Sequence, residues 1–350
     1  MMAITAAALL ALTAGLASAA EAAPLFPIMR DGKWGYVDRA GQEVIPPRFE
    51  RAGPFSEGLA SVQDGERFGY VDATGKLALV PTQLPAGVLH RPFSSGLAAV
   101  RVGALHGYID RKGKLAIPGR YTTAEDFTNG YAMACDAAGC GYLDPAGRGA
   151  VGYGFMGSAS VKEGVACITL AMGMGHQRVE LRRVDGSTSP GEWEGCGKMS
   201  EGLVAVRFAG KWGYVDPRGQ VAIKRAFDRA GDFEGGLAPV TVEGGRCGYI
   251  EKTGRLAIPA RFRACQRFSD GLARVDLAED PTDSEQVAFI DRAGKLVVSG
   301  AQASPPFDSA EDFKDGLAAV GVGGPPHMAG SGTLLGYVDR TGRYVWKPTN

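Results

Sequence analysis

Histidine is scarce in this chain. The four present, His90, His106, His176 and His327, are far apart, and no His-Glu-x-x-His or His-x-His occurs. Two imidazoles spaced to share a zinc ion are therefore missing. There is no Gly-x-Ser-x-Gly elbow to present a nucleophilic serine, and no Cys-x-x-Cys to suggest thioredoxin-like redox work or a zinc ribbon. Gly195-Cys196-Gly197-Lys198-Met199-Ser200 looks superficially like a phosphate loop, but Glu192 stands where the first Gly is required and Met199 where a hydroxyl would meet Mg²⁺. Gly173-x-Gly175 lacks the third Gly of a dinucleotide fingerprint. A surplus of charge is absent too: 38 basic side chains face 38 acidic ones, without blocks. Nucleic-acid binding needs a basic face, so no nucleic-acid partner is expected. No apolar run reaches the roughly 20 residues of a membrane helix. Catalytic residues, metal ligands and cofactor sites are all expected to be none, and the chain is read as a non-enzyme.

What the chain does have is repetition. Gly-Tyr-Val-Asp and its near copies begin at Gly35, Gly69, Gly107, Gly141, Gly213, Gly248 and Gly336. Ala288-Phe289-Ile290-Asp291 fits the same frame, and Arg182-Arg183-Val184-Asp185 is read as a decayed copy. A period of mostly 34 to 41 residues means one supersecondary unit copied about nine times. Three short strands per unit fit the pattern, as in Leu97 to Val102, His106 to Asp110 and Lys114 to Pro118, each rich in β-branched and aromatic residues and bounded by Gly, Asp or Pro. The stretch before the next unit, such as Thr123 to Gly130, reads as a turn or a single helical turn. It carries a Phe (Phe55, Phe93, Phe127, Phe233, Phe268, Phe313) three residues before a Gly, expected to plug the junction between units.

The turn inside each unit has its own chemistry. Asp38 and Gly41, Asp110 and Gly113, Asp216 and Gly219, and Asp339 and Gly342 hold the first and fourth positions, the type I preference with a left-handed Gly closing a bulged hairpin. The row of carboxylates is read as turn caps on backbone N–H groups rather than as a metal or catalytic row. Arg48, Arg120 and Arg261 share one repeat position and are expected to pair with acidic groups of adjacent units. Glu279 to Glu285 is an acidic insertion without the ligand spacing or central Gly of a calcium loop, and is read as a solvated loop.

Lys33-Trp34-Gly35-Tyr36-Val37-Asp38 and Lys211-Trp212-Gly213-Tyr214-Val215-Asp216, followed by Gly, Ile, Phe and Gly-Leu-Ala, resemble the bacterial WG-repeat (KWG) family. The resemblance runs from about Leu25 to Pro348, although Phe68, His106, Cys140 and Cys247 replace the name-giving Trp in other copies. It implies a β-rich repeat protein, commonly exported, with no catalytic residues to carry over. The expected fold is all-β: tandem three-stranded meanders over 25–350, stacked as an open or superhelical array because every unit is whole and no split unit zips a ring shut. The alternative is a closed, propeller-like ring, disfavoured because propellers usually have four to eight four-stranded blades. A segment at 150–199 breaks the pattern, as a distorted fifth unit or a bend.

Residues 1–19 read as a secretory signal peptide: Ile4 to Leu16 is apolar and Ala17-Ser18-Ala19 is a cleavage site, although no Lys or Arg precedes the apolar run. A periplasmic or secreted location follows. Six cysteines in an exported chain invite disulfides. Cys135 and Cys140 flank a hairpin turn, Cys247 and Cys265 belong to one unit, and Cys167 and Cys196 flank the irregular region. The functional expectation is an exported scaffold of the cell envelope that binds a protein or peptide partner. The alternative is a carbohydrate module for cell-wall glycan, since exposed Tyr or Trp stack on sugars; the Tyr row holds a single strand position, which suggests packing and ranks this reading second.

Overall fold

In a computed structural model of the chain, the described residues are 23–81, 91–155, 157–158, 161–171, 177–279, 286–325 and 333–347. The signal segment 1–19, three of the four histidines and most of the acidic insertion lie outside them. Every described element is a strand or a turn. The chain forms nine antiparallel sheets, seven of four strands and two of three, each built from strands consecutive in sequence. They follow one another around a closed ring, a nine-bladed β-propeller. Of the two geometries the sequence allowed, the ring is the one adopted, and the open array is corrected.

The blades, in chain order, span 26–49, 51–79, 97–121, 123–155, 157–193, 195–227, 229–262, 264–299 and 309–346. The extra strand, absent from the three-stranded reading, has two residues in six blades, as in Arg51–Ala52 of blade 2 and Arg229–Ala230 of blade 7, and six in blade 8, Ala264–Ser269. It forms where a helical turn was expected. After it comes the plug Phe, then a two-residue hairpin bridged from Ser56 to Leu59, whose central Glu57 and Gly58 both have positive φ. That is the type I′ pattern, whose twist matches the strands it joins. Blades 1 and 3 have three strands, equivalent to the second to fourth of the others.

Adjacent blades are locked by one recurring pair of aromatic side chains. The Tyr of Gly-Tyr-Val-Asp lies on the third strand, fully buried, and its ring meets the next blade's plug Phe. Tyr36 packs on Phe55 at 4.7 Å, Tyr108 on Phe127 at 5.0 Å and Tyr249 on Phe268 at 4.9 Å between centroids. Each phenol donates a hydrogen bond to a backbone carbonyl of that next blade: Tyr36 to Gly53, Tyr70 to Arg91, Tyr108 to Glu125, Tyr214 to Gly231 and Tyr249 to Gln266, all at 2.8 Å. Burial pushes these phenols above their usual titration range, so they stay neutral donors.

The seam between blades 9 and 1 repeats this chemistry. Tyr337 packs on Phe26 at 5.6 Å and donates to the Pro27 carbonyl at 2.8 Å. Phe26, Ile28 and Val37 of blade 1 share a core with Leu317, Leu335 and Tyr337 of blade 9, and the Arg30 guanidinium lies over the Trp346 ring. Among the described residues no strand is exchanged across the seam. Side-chain packing and the Tyr337 hydrogen bond shut the ring, which is why whole units did not imply an open array.

The bulge glycine of the turn into the last strand faces the fourth strand of the preceding blade in most blades. A Cβ on Gly113 would come within 2.6 Å of Leu79, one on Gly254 within 2.9 Å of Ile223, and one on Gly41 would run into the Val345 backbone carbonyl across the seam. Gly186 holds the same turn position in blade 5 with open space around it, and both Gly41 (φ 78°) and Gly186 (φ 85°) are left-handed. Gly186→Ala is expected to cost about 1 kcal/mol, the penalty for positive φ alone. Gly41→Ala should cost distinctly more, because a backbone oxygen cannot swing aside as a side chain can. Urea unfolding midpoints of the two variants measure the difference, and equal losses would show that the seam is not packed as described.

Candidate functional site: the central channel

The inner segments of four successive blades line a single cavity of about 580 Å³. Equivalent positions of consecutive blades share one hollow only around the ring axis, so the short first strands form the channel wall. The residue just before the plug lines this cavity in four blades: Lys198 in blade 6, Asp232 in blade 7, Arg267 in blade 8 and Asp312 in blade 9; Asp126 holds the same position in blade 4. Blades 2 and 3 have Pro54 and Pro92 there. A second cavity of about 180 Å³ reaches from Asp312 and Asp315 to Leu25 and Pro54 across the seam. Sequence reasoning identified the plug Phe but passed over its neighbour. The available signal was a repeat position whose charge changes sign from copy to copy.

Two of these carboxyls are pushed above the usual carboxylate range. Burial raises Asp126, against the Arg91 guanidinium 3.4 Å away. Burial also raises Asp232, against the Lys198 backbone N–H at 3.1 Å and the charges of Lys198, Lys162 and Arg267. Asp276, deeper in blade 8, shows the opposite balance. Its burial is outweighed by the N–H groups of Ala278 and Gln286 and by the Arg263 guanidinium, which hold it below the usual range.

On the ring face where the first-to-second and third-to-fourth hairpins emerge, carboxylates bridge neighbours. Glu57 accepts from Gly96 N and lies 3.7 Å from Arg111; Glu201 accepts from Gly236 N and lies 3.1 Å from Lys252; Asp270 accepts from Gly316 N and lies 2.9 Å from Arg340. The turn carboxylates cap their own turns. Asp38 Oδ1 accepts from Ala40 and Gln42, and Asp110, Asp216 and Asp339 do the same two and four residues on. Gly41, Gly113, Gly219 and Gly342 close those turns with φ of 77° to 83°. Arg48, Arg120 and Arg261 do reach the next blade, where they donate to the carbonyls of Gly75, Gly147 and Gly294 rather than to the acidic groups expected. A neutral carbonyl at a left-handed Gly offers its lone pairs outward, and the guanidinium takes them. His106 lies at the Trp position, paired with Tyr121 across the sheet.

The irregular segment 150–199 contains blade 5, a complete four-stranded blade. Its frame sits two residues earlier than the sequence suggested: Leu181 pairs with Cys167 as Tyr108 pairs with Ala99, and Arg183 opens the turn that Gly186 closes. Leu181 therefore replaces the locking Tyr, and Met199 replaces the plug of blade 6. A disulfide between Cys167 and Cys196, Cα atoms 6.0 Å apart, joins these two blades. Cys247 and Cys265, 6.1 Å apart, likewise tie blade 7 to blade 8, a correction to their placement in one unit. Cys135 and Cys140 face each other across one hairpin of blade 4, with Cα atoms 3.9 Å apart.

A family model described as "WG containing repeat" matches residues 34–67, 107–136, 212–245, 248–277 and 303–324. No curated protein matches the sequence. Among solved structures, one described as the eukaryotic initiation factor superposes with a TM-score of 0.63 at 13% identity, covering 92% of this chain and 94% of that one. At that identity it shows the fold alone. Dihydro-heme d1 dehydrogenase NirN (12% identity, 93% of this chain, 73% of that one) and apo AztD from Citrobacter koseri (14%, 79% and 93%) reach TM-scores of only 0.43 and 0.36.

Two measurements follow from this geometry. Chain-entropy scaling for loops of 5, 18 and 29 residues gives losses of about 2, 3 and 4 kcal/mol when the bridges are removed as Ala pairs. Cys167 and Cys196 should thus matter most in melts of the three double variants, and a uniform loss would refute the inter-blade role. For Asp232, a raised folded value means that folding favours the protonated acid. That stability is complete below the unfolded value of about 3.9 and is lost as pH rises through the folded value. Asp232→Asn is therefore expected to raise the melting midpoint at neutral pH and to change it little at pH values well below the unfolded one. A loss at neutral pH would contradict the assignment.

Proposed function

Because the chain belongs to the WG-repeat family and its repeats close into a nine-bladed ring, we propose that it is a non-enzymatic, exported scaffold that binds a protein or peptide partner in the cell envelope. The observation that carries this reading is a division of labour within each repeat. Tyr, plug Phe and bulge Gly recur and are consumed by the frame, while the channel-facing residue beside the plug varies in charge from blade to blade. A frame that holds its shape while its concave wall varies is the design of repeat proteins that recognise other chains.

The glycan reading needs exposed aromatics, and the Tyr row, read as packing, does not supply them. Tyr36, Tyr70, Tyr108, Tyr214 and Tyr249 are at most 1% exposed, so none can stack on a sugar. The three disulfides fit a periplasmic or extracellular location. Among the described residues no helix is long and apolar enough to cross a membrane.

Affinity capture from envelope extracts under non-reducing conditions tests the proposal. A reproducible protein partner, lost when the ring is unfolded, is the expected result. Sedimentation with peptidoglycan in the absence of any captured protein would overturn it in favour of a wall-binding module.

A further inference from the structure

The channel wall of blades 6 to 9 carries a charge pattern of which the ring uses only part: Asp232 accepts from Lys198 N, and Asp312 lies 3.9 Å from the Arg274 guanidinium. Lys198, Asp232, Arg267 and Asp312 occupy the same position in consecutive blades, so the sign alternates around the wall. Arg229 and Arg263 enter the same cavity of about 580 Å³ from the first strand of blade 7 and the segment leading into blade 8. Arg263 is committed to Asp276. Arg229 and Arg267 are exposed, and neither has a carboxylate within ion-pair distance among the described residues. Asp232 and Asp312 are partly buried beside them.

A uniform polyanion laid along this wall would place charge against Asp232 and Asp312. A uniform polycation would meet Lys198, Arg229 and Arg267. Like charges brought together in a partly desolvated cleft cost several kcal/mol, so only a ligand that carries both signs satisfies the wall. Beyond Asp312 the second cavity turns to Leu25 and Pro54, which leaves room for an apolar neighbour in the same ligand. We propose that this arc of the channel binds a peptide segment of mixed charge, with its acidic groups on Arg229 and Arg267 and its basic groups on Asp232 and Asp312. The inference rests on the interaction-scaffold reading, to which it adds an address and a partner chemistry.

Fluorescence anisotropy with the full chain at low ionic strength tests it, using labelled octapeptides of alternating Glu and Lys, of Glu alone and of Lys alone. The alternating peptide should bind about tenfold more tightly than either uniform one, a difference of about 1.4 kcal/mol. Replacing Arg229→Ala and Arg267→Ala together should weaken it about tenfold. Asp232→Asn with Asp312→Asn should weaken it while strengthening the all-Glu peptide. Both pairs lie on the channel wall outside the locking contacts; if the Ala pair alters the melting curve, Arg229→Gln with Arg267→Gln replaces it. Tighter binding of the all-Glu peptide by the native chain, no binding of the alternating peptide, or binding indifferent to both double variants overturns the proposal. The same variants used in envelope capture separate the two readings. Partners retained by native and variant chains alike sink the channel site and leave the scaffold standing, whereas no partner for either sinks both.

Discussion

The contact on which the ring depends is a buried tyrosine that reaches out of its own blade. A small antiparallel sheet has one face too many: what it cannot bury within itself must be covered by a neighbour. Here the Tyr ring covers the neighbour's Phe, and its hydroxyl ends on a carbonyl that the short first strand leaves without a ladder partner. Burying each such ring is worth about 2 to 3 kcal/mol. The hydrogen bond adds about 1 kcal/mol, and leaving its carbonyl buried and unpaired would cost up to about 3. A linear stack of nine units would leave one set of these groups uncovered at each end. Closing the stack brings Tyr337 to Phe26 and Pro27 and removes both exposed ends at once.

Where the lock fails, other chemistry takes its place. Blade 8 has Phe289 in the Tyr position, which keeps the ring contact with Phe313 at 4.8 Å but forgoes the hydroxyl. Blade 5 has Leu181, which forgoes both. That junction is the one crossed by Cys167 and Cys196, and its next turn is further held by Arg183 and Ser189, which both donate to the Pro217 carbonyl. A covalent link and two hydrogen bonds thus stand in for an aromatic pair. The drift of sequence in this blade is accommodated without loss of the fold.

Much of this was legible in the sequence because each copy makes the same physical demand. Asp38 and Gly41 recur since a bulged turn needs a cap and a left-handed residue, and Phe55 recurs since the junction needs a plug. What escaped notice was what the repeats do to each other. Cys265 sits on the first strand of blade 8, Ala264–Ser269, a strand that the three-stranded reading did not contain, so Cys265 and Cys247 read as one unit although they sit on two blades. The seam is made of side chains, so looking for a split unit could not find it. Arg48 found a carbonyl because the adjoining left-handed Gly presents one, a detail of backbone direction invisible in composition. Blade 5 slipped by two residues because Val184-Asp185 imitates the motif more closely than Arg182-Arg183, which occupies its place.

The same lock explains why the channel wall is free to vary. In blade 7 the Tyr214 hydroxyl holds the carbonyl of Gly231, and its ring holds Phe233 at 5.0 Å. In blade 8 Tyr249 holds the Gln266 carbonyl and the Phe268 ring in the same way. Asp232 and Arg267 lie between these two anchors. Their backbone is fixed on both sides by a residue of the preceding blade, so the direction of the side chain is set while its identity carries none of the packing. A position that is rigidly aimed while its side chain stays outside the aromatic lock is what recognition requires. Its side chain can point a charge at a ligand without first paying to be ordered. The frame therefore does for each blade's channel residue what a scaffold does for a binding loop, one repeat at a time.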